Sequence, residues 1–217
     1  MGIKEQNSRN SKNRRQTKRA WLIVCEGRNK TETNYFGHFN KPTANVRILV
    51  HSSEDTDPKG MVKRAETLAA QNDIGSRPGD RIICLMDLDL SDEKARLISD
   101  LRVKHRNVEI MVSNPCFEIW FLLHFTDHPN RENISRNVKK QLERYVPNYT
   151  ESMDILRKCS EIQTKYGEAI INAENLRIEN ERKNVLLLSA DANPYTDVYL
   201  LMRDILAENG PPQINCD

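Results

Sequence analysis

Residues 21–36 read WLIVCEGRNKTETNYF. An unbroken apolar run stops on a carboxylate, Glu26, and a glycine, Gly27, before a polar stretch that can form a helix. The run AWLIVC (20–25) does not alternate, which predicts a strand buried on both faces of a parallel sheet. Glycine tolerates a tight turn that other residues resist, so Gly27 suits a loop that a phosphate approaches closely.

The flanking sequence supplies the rest of such a sheet. Residues 30–39 read as a short helix, and NVRILVHS (45–52) reads as a second strand. In MVKRAETLAAQN (61–72), Met61, Ala65, Leu68 and Ala69 recur at helical spacing. RIICLM (81–86) is a third buried strand, running into DLDLSD. DEKARLISDLRVKH (92–105) is a helix with Ser91 or Asp92 as N-cap, and VEIMVS (108–113) is a fourth strand. This alternation predicts an α/β fold with a parallel sheet and right-handed crossovers.

The rhythm changes after residue 113. NPCFEIWFLLHF offers Asn114 as N-cap and Pro115 at the first position of a buried helix. Residues 134–145, 150–165 and 166–182 read as amphipathic helices, and NPYTDVYLLMRDILAEN (193–209) as a last helix with Asn193, Thr196 and Asp197 at its start. VLLLS (185–189) fits either a short strand or a loop packed on the core. The expected plan is a disordered basic arm (1–19), an α/β core (20–125) and a helical C-terminal extension (126–217) packed on that core.

Composition narrows the class. The chain has 217 residues, of which 38% are hydrophobic and 29% charged, as in soluble globular proteins. No apolar run reaches the roughly 20 residues that span a bilayer, and the N-terminus lacks the apolar stretch of a secretory signal. A cytoplasmic protein is expected. The five cysteines are odd in number and show no CxxC spacing, so neither a disulfide framework nor a zinc knuckle is signalled. His124 and His128 are four apart, but Pro129 and the lack of an adjoining glutamate fit an ordinary helix end better than zinc. The net charge of +2 hides an asymmetry: residues 1–20 carry seven Lys or Arg against Glu5, a net +6, which leaves −4 for the remainder. With almost nothing apolar to bury, this arm suits either a polyanion or a solubilising role.

In open parallel sheets, ligands bind beyond the carboxyl ends of the strands. Glu26 ends the first strand, and Asp87 and Asp89 end the third, so all three belong to one rim. In extended chain Asp87 and Asp89 point the same way, with Leu88 opposed. Carboxylates gathered like this repel unless a cation lies among them, and a hard divalent ion such as Mg²⁺ takes oxygen ligands and leaves room for a phosphate oxygen. Asp87, Asp89 and Asp92 also suit a polar turn capping the next helix. Neither a phosphate loop ending in Gly-Lys-Ser/Thr nor a GxGxxG fingerprint is present.

A strand ending in Glu-Gly, followed by one ending in Asp-x-Asp, resembles the Toprim domain of topoisomerases, primases and OLD-type nucleases. More narrowly, VCEGRNKTETNYF, MDLDL, SNPCFEIWFLLHF and NPYTDVYLL, in that order, resemble the RloB-like family, a bacterial Toprim group associated with restriction and phage-defence loci. The resemblance implies a Toprim-like (Rossmannoid) sheet flanked by helices. It makes Glu26 the general acid or base and Asp87 and Asp89 the ligands of Mg²⁺ (or Mn²⁺). Glu32 looks like the second acidic residue that OLD-type enzymes recruit to the metal, although its spacing from Glu26 is one residue longer than in Glu-Gly-x-x-Thr-Glu. Glu118 matches the third motif and either faces the metal or is paired near a helix start. Gly27, Arg28 and Lys30 would approach phosphate. The implied activity is a metal-dependent nuclease of anti-phage defence, with nucleic acid and an RloA-type ATPase as partners. The alternatives are a binding module that does not cut and another metal-dependent phosphotransfer enzyme.

Overall fold

The computed structural model describes residues 18–27, 30–130, 134–212 and 214. Five strands, β1 (Arg19–Cys25), β2 (Val46–Ser52), β3 (Arg81–Asp87), β4 (Glu109–Asn114) and β5 (Tyr195–Thr196), form one sheet in the order β2-β1-β3-β4-β5. The first four are parallel, and β5 is antiparallel to β4. Helices α1 (Thr31–Gly37), α2 (Pro58–Gln71) and α3 (Asp92–Lys104) join the parallel strands. After β4 come α4 (Glu118–Leu122), α5 (Ser135–Leu142), α6 (Ile155–Lys158), α7 (Ser160–Thr164) and α8 (Tyr166–Arg182), and α9 (Val198–Asn209) follows β5. The fold is therefore α/β, a mostly parallel sheet flanked by helices.

Alternation along β1 explains the layering. Trp21, Ile23 and Cys25 face one apolar cluster with residues of α1, α4, α8 and α9, while Ala20, Leu22 and Val24 face another with residues of α2 and α3. Both faces are covered, which is why AWLIVC shows no polar alternation. The first cluster runs from Trp21 to Ile205 and draws on residues from both sides of position 125. At its centre Tyr35, Phe36, Phe117 and Phe121 pack edge to face at 5.1–6.1 Å, spacings that add to the value of the buried area.

Ser91 acts as read, and Asp57 is a cap that the sequence reading did not single out. Asp57 caps α2 by accepting from Gly60 N–H (3.0 Å), and Ser91 caps α3 by accepting from Lys94 N–H (3.1 Å). The expected helix at 150–165 is broken into α6 and α7 at Cys159, which is extended. VLLLS is an irregular segment: Val185, Leu187 and Leu188 pack on the α2–α3 side and Leu186 is exposed.

Both Asn-Pro pairs correct the sequence reading. Each is a cis peptide beside the sheet rather than a helix start. Asn114 ends β4 and caps nothing. Its side-chain carbonyl accepts from Leu90 N–H (3.2 Å), and its amide donates to the carbonyls of Ser189, Ala190 and Ala192 (3.2, 3.2 and 2.9 Å). Committed to those bonds, it cannot cap, and α4 begins only at Glu118. The 193–209 segment first pairs Tyr195 and Thr196 with β4, so the region expected to be helical contributes a strand. Asp197 does not cap α9; it accepts from Val112 N–H and from Arg102, both at 3.0 Å. Replacing Asn114 by alanine leaves buried backbone groups unpaired, and we expect a loss on the order of 3 kcal/mol in urea unfolding.

Candidate functional site

The strand order reverses direction between β1 and β3: the chain runs outward from β1 to β2, then crosses back to β3 and continues to β4. In open α/β sheets, the crevice at such a switch point is where ligands bind. Glu26 follows β1 and Asp87 ends β3 at this crevice, and Glu26 Oε2 accepts from Asp87 N–H at 3.0 Å. Gly27 follows with φ +77°, a left-handed conformation that favours glycine, and open space lies where a Cβ would stand.

Burial brings two further carboxylates in. Glu32 lies one turn before Tyr35 and Phe36, on the face of α1 that enters the core, and is 7% exposed. Glu118 stands one turn before Phe121 and Leu122 at the start of α4 and is 4% exposed. Glu118 Oε1 accepts from Tyr149 Oη at 3.1 Å and lies 3.8 Å from Lys139 Nζ. It is thus both paired and part of the acidic group. Glu32 Oε2 is buried with no hydrogen-bond partner among the described residues.

The carboxylates act on one another. Burial pushes the Glu32 carboxyl up to about 8, and the charges of Glu118, Glu151 and Glu26 add to the shift. Asp87 is held well above the ordinary carboxylate range, first by burial and then by Glu32, Glu118, Glu26 and Asp89. Glu26 is also raised by burial, against the hydrogen bond and charge of Lys94.

Asp89 departs from the geometry expected of it. β3 ends at Asp87, and the backbone turns left-handed at Asp89 and Leu90 (φ 52° and 58°), so the period-two relation to Asp87 does not apply. Leu88 goes into the core instead. Asp89 is exposed, and its Oδ2 accepts from Lys94 Nζ at 3.1 Å.

Lys94 is the residue that sequence reasoning missed. Its ammonium donates to Glu26 Oε1 and Oε2 at 2.8 and 3.0 Å, and so bridges Glu26 to Asp89. A lysine in the first turn of a helix opposes the macrodipole, which favours carboxylates there. That mismatch was the available signal. Replacing Lys94 by methionine removes the interactions that hold Glu26 down, so the Glu26 carboxyl is expected to titrate still higher. Carbon-detected NMR titration of the glutamate carboxyls checks this.

Lys30 is exposed and lines a cleft of about 530 Å³ with Lys139, Tyr149 and Glu151 beside the acidic group. Thr31 Oγ1 donates to the Glu151 carbonyl at 2.7 Å and ties this cleft to α1. Arg28 and residues 1–17 of the basic arm lie outside the described residues.

The donor set is all oxygen, which suits a hard divalent cation, and the unpartnered Glu32 oxygen is a group a cation would satisfy. It is spread rather than gathered: no group of three or more His, Cys, Asp or Glu side chains that could hold a metal ion is assembled among the described residues. Lys94 pairs the Glu26–Asp89 side and Lys139 lies beside Glu118, whereas neither Asp87 nor Glu32 has an ion-pair partner among the described residues.

A family model described as RloB-like protein matches residues 21–205. The chain belongs to the RloB-like protein family. The match begins within β1 and ends within α9, so it takes in most of β1, the other four strands and every acidic residue of the site. No curated protein and no solved structure gives a significant match to this RloB-like chain. No helix among its described residues is long and apolar enough to cross a membrane.

Proposed function

We propose that this RloB-like chain is a metal-dependent phosphodiesterase of the Toprim type that cuts nucleic acid, in the cytoplasm and in anti-phage defence beside an RloA-type ATPase. The observation that carries the reading is the pairing of Glu26 with Asp87 at the switch point, with the buried carboxylates of Glu32 and Glu118 in their field. A dead site gains nothing from such repulsion, whereas an acidic site built for a cation requires it.

Asp87 and Asp89, with Glu32 and Glu118, are the residues that would hold Mg²⁺ or Mn²⁺. Bound there, the ion would neutralise charge on a phosphodiester and acidify a water. The chain's own groups do the remainder. Glu26, its carboxyl raised by burial against the hold of Lys94, is the group placed to hold and release a proton. Lys94 fixes the position of Glu26, and Lys30 and Gly27 leave a cationic, open approach for the phosphate.

Lys94 also favours a second reading. An ammonium already bridging Glu26 and Asp89 would suit a module that binds nucleic acid or the ATPase without cutting. The experiment is cleavage of supercoiled plasmid, single-stranded DNA and total tRNA with Mg²⁺, Mn²⁺ or chelator, with nucleotides included to detect other phosphotransfer. Metal-dependent cutting supports the phosphodiesterase and identifies its polymer. Binding that is indifferent to chelator, with no cutting even beside the ATPase, supports the module.

A further inference from the structure

The parallel strands β1, β2, β3 and β4 all begin at one end of the sheet, opposite the acidic rim. There a cleft of about 520 Å³ is lined by Lys18, Lys41, Arg47 and Arg77, together with Asn40 and Asn72, and by no carboxylate. Other cations at this end hold the fold together through acidic partners: Arg19 pairs with Glu208 at 2.7 Å, and Arg81 pairs with Glu109 and Asp204 at 2.5 and 2.8 Å. The cleft cations are used differently. Lys18 donates only to the Pro42 carbonyl (2.7 Å), and Lys41 to the carbonyls of Asn209 and Pro211. The Arg47 side chain makes no ion pair or hydrogen bond among the described residues, and Arg77 alone pairs, with exposed Asp73. Three of the four cleft cations therefore have no carboxylate partner among the described residues, in a chain whose net charge beyond residue 20 is negative.

We propose that this amino-rim cleft is a second contact for a nucleic-acid backbone, an anchor separate from the acidic site. The inference rests on the nucleic-acid part of the proposed function and not on cleavage. Lys and Arg without carboxylate partners release counterions when they meet phosphates, and the amide N–H groups of Asn40, whose oxygen accepts from Ile48 N–H, suit phosphate oxygens. A membrane surface fits less well, because the lining has no aromatic residue or leucine to enter the lipid boundary. β1 has seven residues, so the two rims are about 20 Å apart at roughly 3.3 Å per residue. That distance is about six base pairs of duplex. One phosphate cannot touch both rims, so the anchor selects polymers over short fragments.

The test is equilibrium binding of the full chain, with chelator present, to a 24-base-pair DNA duplex and to unfractionated tRNA over a salt series. Lys18→Glu/Arg47→Glu is expected to lose roughly tenfold in affinity, and its slope of log K against log salt should fall by about two. Arg47→Ala, which has no partner to lose, should lower the slope by about one and keeps the test valid if the double variant folds poorly. Loss with DNA or tRNA supports the anchor and says which polymer it holds. Unchanged affinity and slope overturn it, as does a wild type that binds neither polymer. Tighter, variant-sensitive binding to phosphatidylserine vesicles would overturn it in favour of a membrane. Cleavage is read separately: a polymer held through this rim but never cut sinks the phosphodiesterase reading alone, and cutting with unaltered binding in the variants sinks the anchor alone.

Discussion

Replacing Asp87 by alanine is expected to abolish divalent-dependent cleavage, on the order of a thousandfold or more, while raising thermal stability at pH 8. The two effects have one cause. Asp87 is held in a position where burial and four neighbouring carboxylates all disfavour its charge. Its side chain makes no hydrogen bond among the described residues, and the backbone N–H that Glu26 accepts survives the substitution. Removing the carboxylate therefore relieves repulsion at little structural cost. The same removal deletes a ligand whose loss, at several kcal/mol of transition-state stabilisation, corresponds to about tenfold per 1.4 kcal/mol. A melting curve and a cleavage assay on the same preparation check both halves. Turnover comparable to wild type would overturn the assignment, and a lowered melting temperature would show that the side chain holds structure.

How much of this was legible in the sequence depended on how local the signal was. β1 and β3 were readable because each is a continuous apolar run, and burial on both faces needs no knowledge of the partner strand; β2 and β4 showed only the shorter runs Ile48–Val50 and Ile110–Val112. Ser91 was readable as a cap because capping is settled within three residues. Asn114 was not, because its bonds reach Leu90 on one side and residues 189–192 on the other. The same dipeptide that starts helices elsewhere here closes a sheet edge. β5 was invisible for a similar reason: two residues pair only because β4 is there to receive them.

The site divides in the same way. Glu26 and Asp87 could be placed on one rim from strand ends alone. Asp89 was misplaced in detail because the extended chain assumed through DLDL stops at Asp87. Lys94, Tyr149 and Lys139 come from α3, the loop after α5 and α5 itself, and only tertiary packing brings them to Glu26 or Glu118. Positive charge among the carboxylates was inferred from repulsion. On one side of the site the chain itself supplies it, as Lys94.

That division makes Glu32 the sharpest probe of a bound cation. In the unfolded chain its carboxyl releases a proton near 4.5, whereas in the fold it holds the proton up to about 8. The folded state thus binds more protons across that window, so stability is fully present below it and falls as pH rises through it. At about 1.4 kcal/mol per pH unit the loss amounts to a few kcal/mol. A divalent cation requires the deprotonated carboxylate and binds only the folded state, so Mg²⁺ or Mn²⁺ should raise the melting temperature strongly at pH 8 and hardly at pH 5. Glu32→Gln cannot ionise. It is expected to flatten the pH dependence between 4.5 and 8, to melt higher than wild type in chelator at pH 8, and to lose most of the stabilisation by metal. Melting curves over pH, with chelator and with each metal, decide it. A cation effect of equal size in Glu32→Gln would remove Glu32 from the ligand set, and equal pH slopes would mean that another group carries the proton.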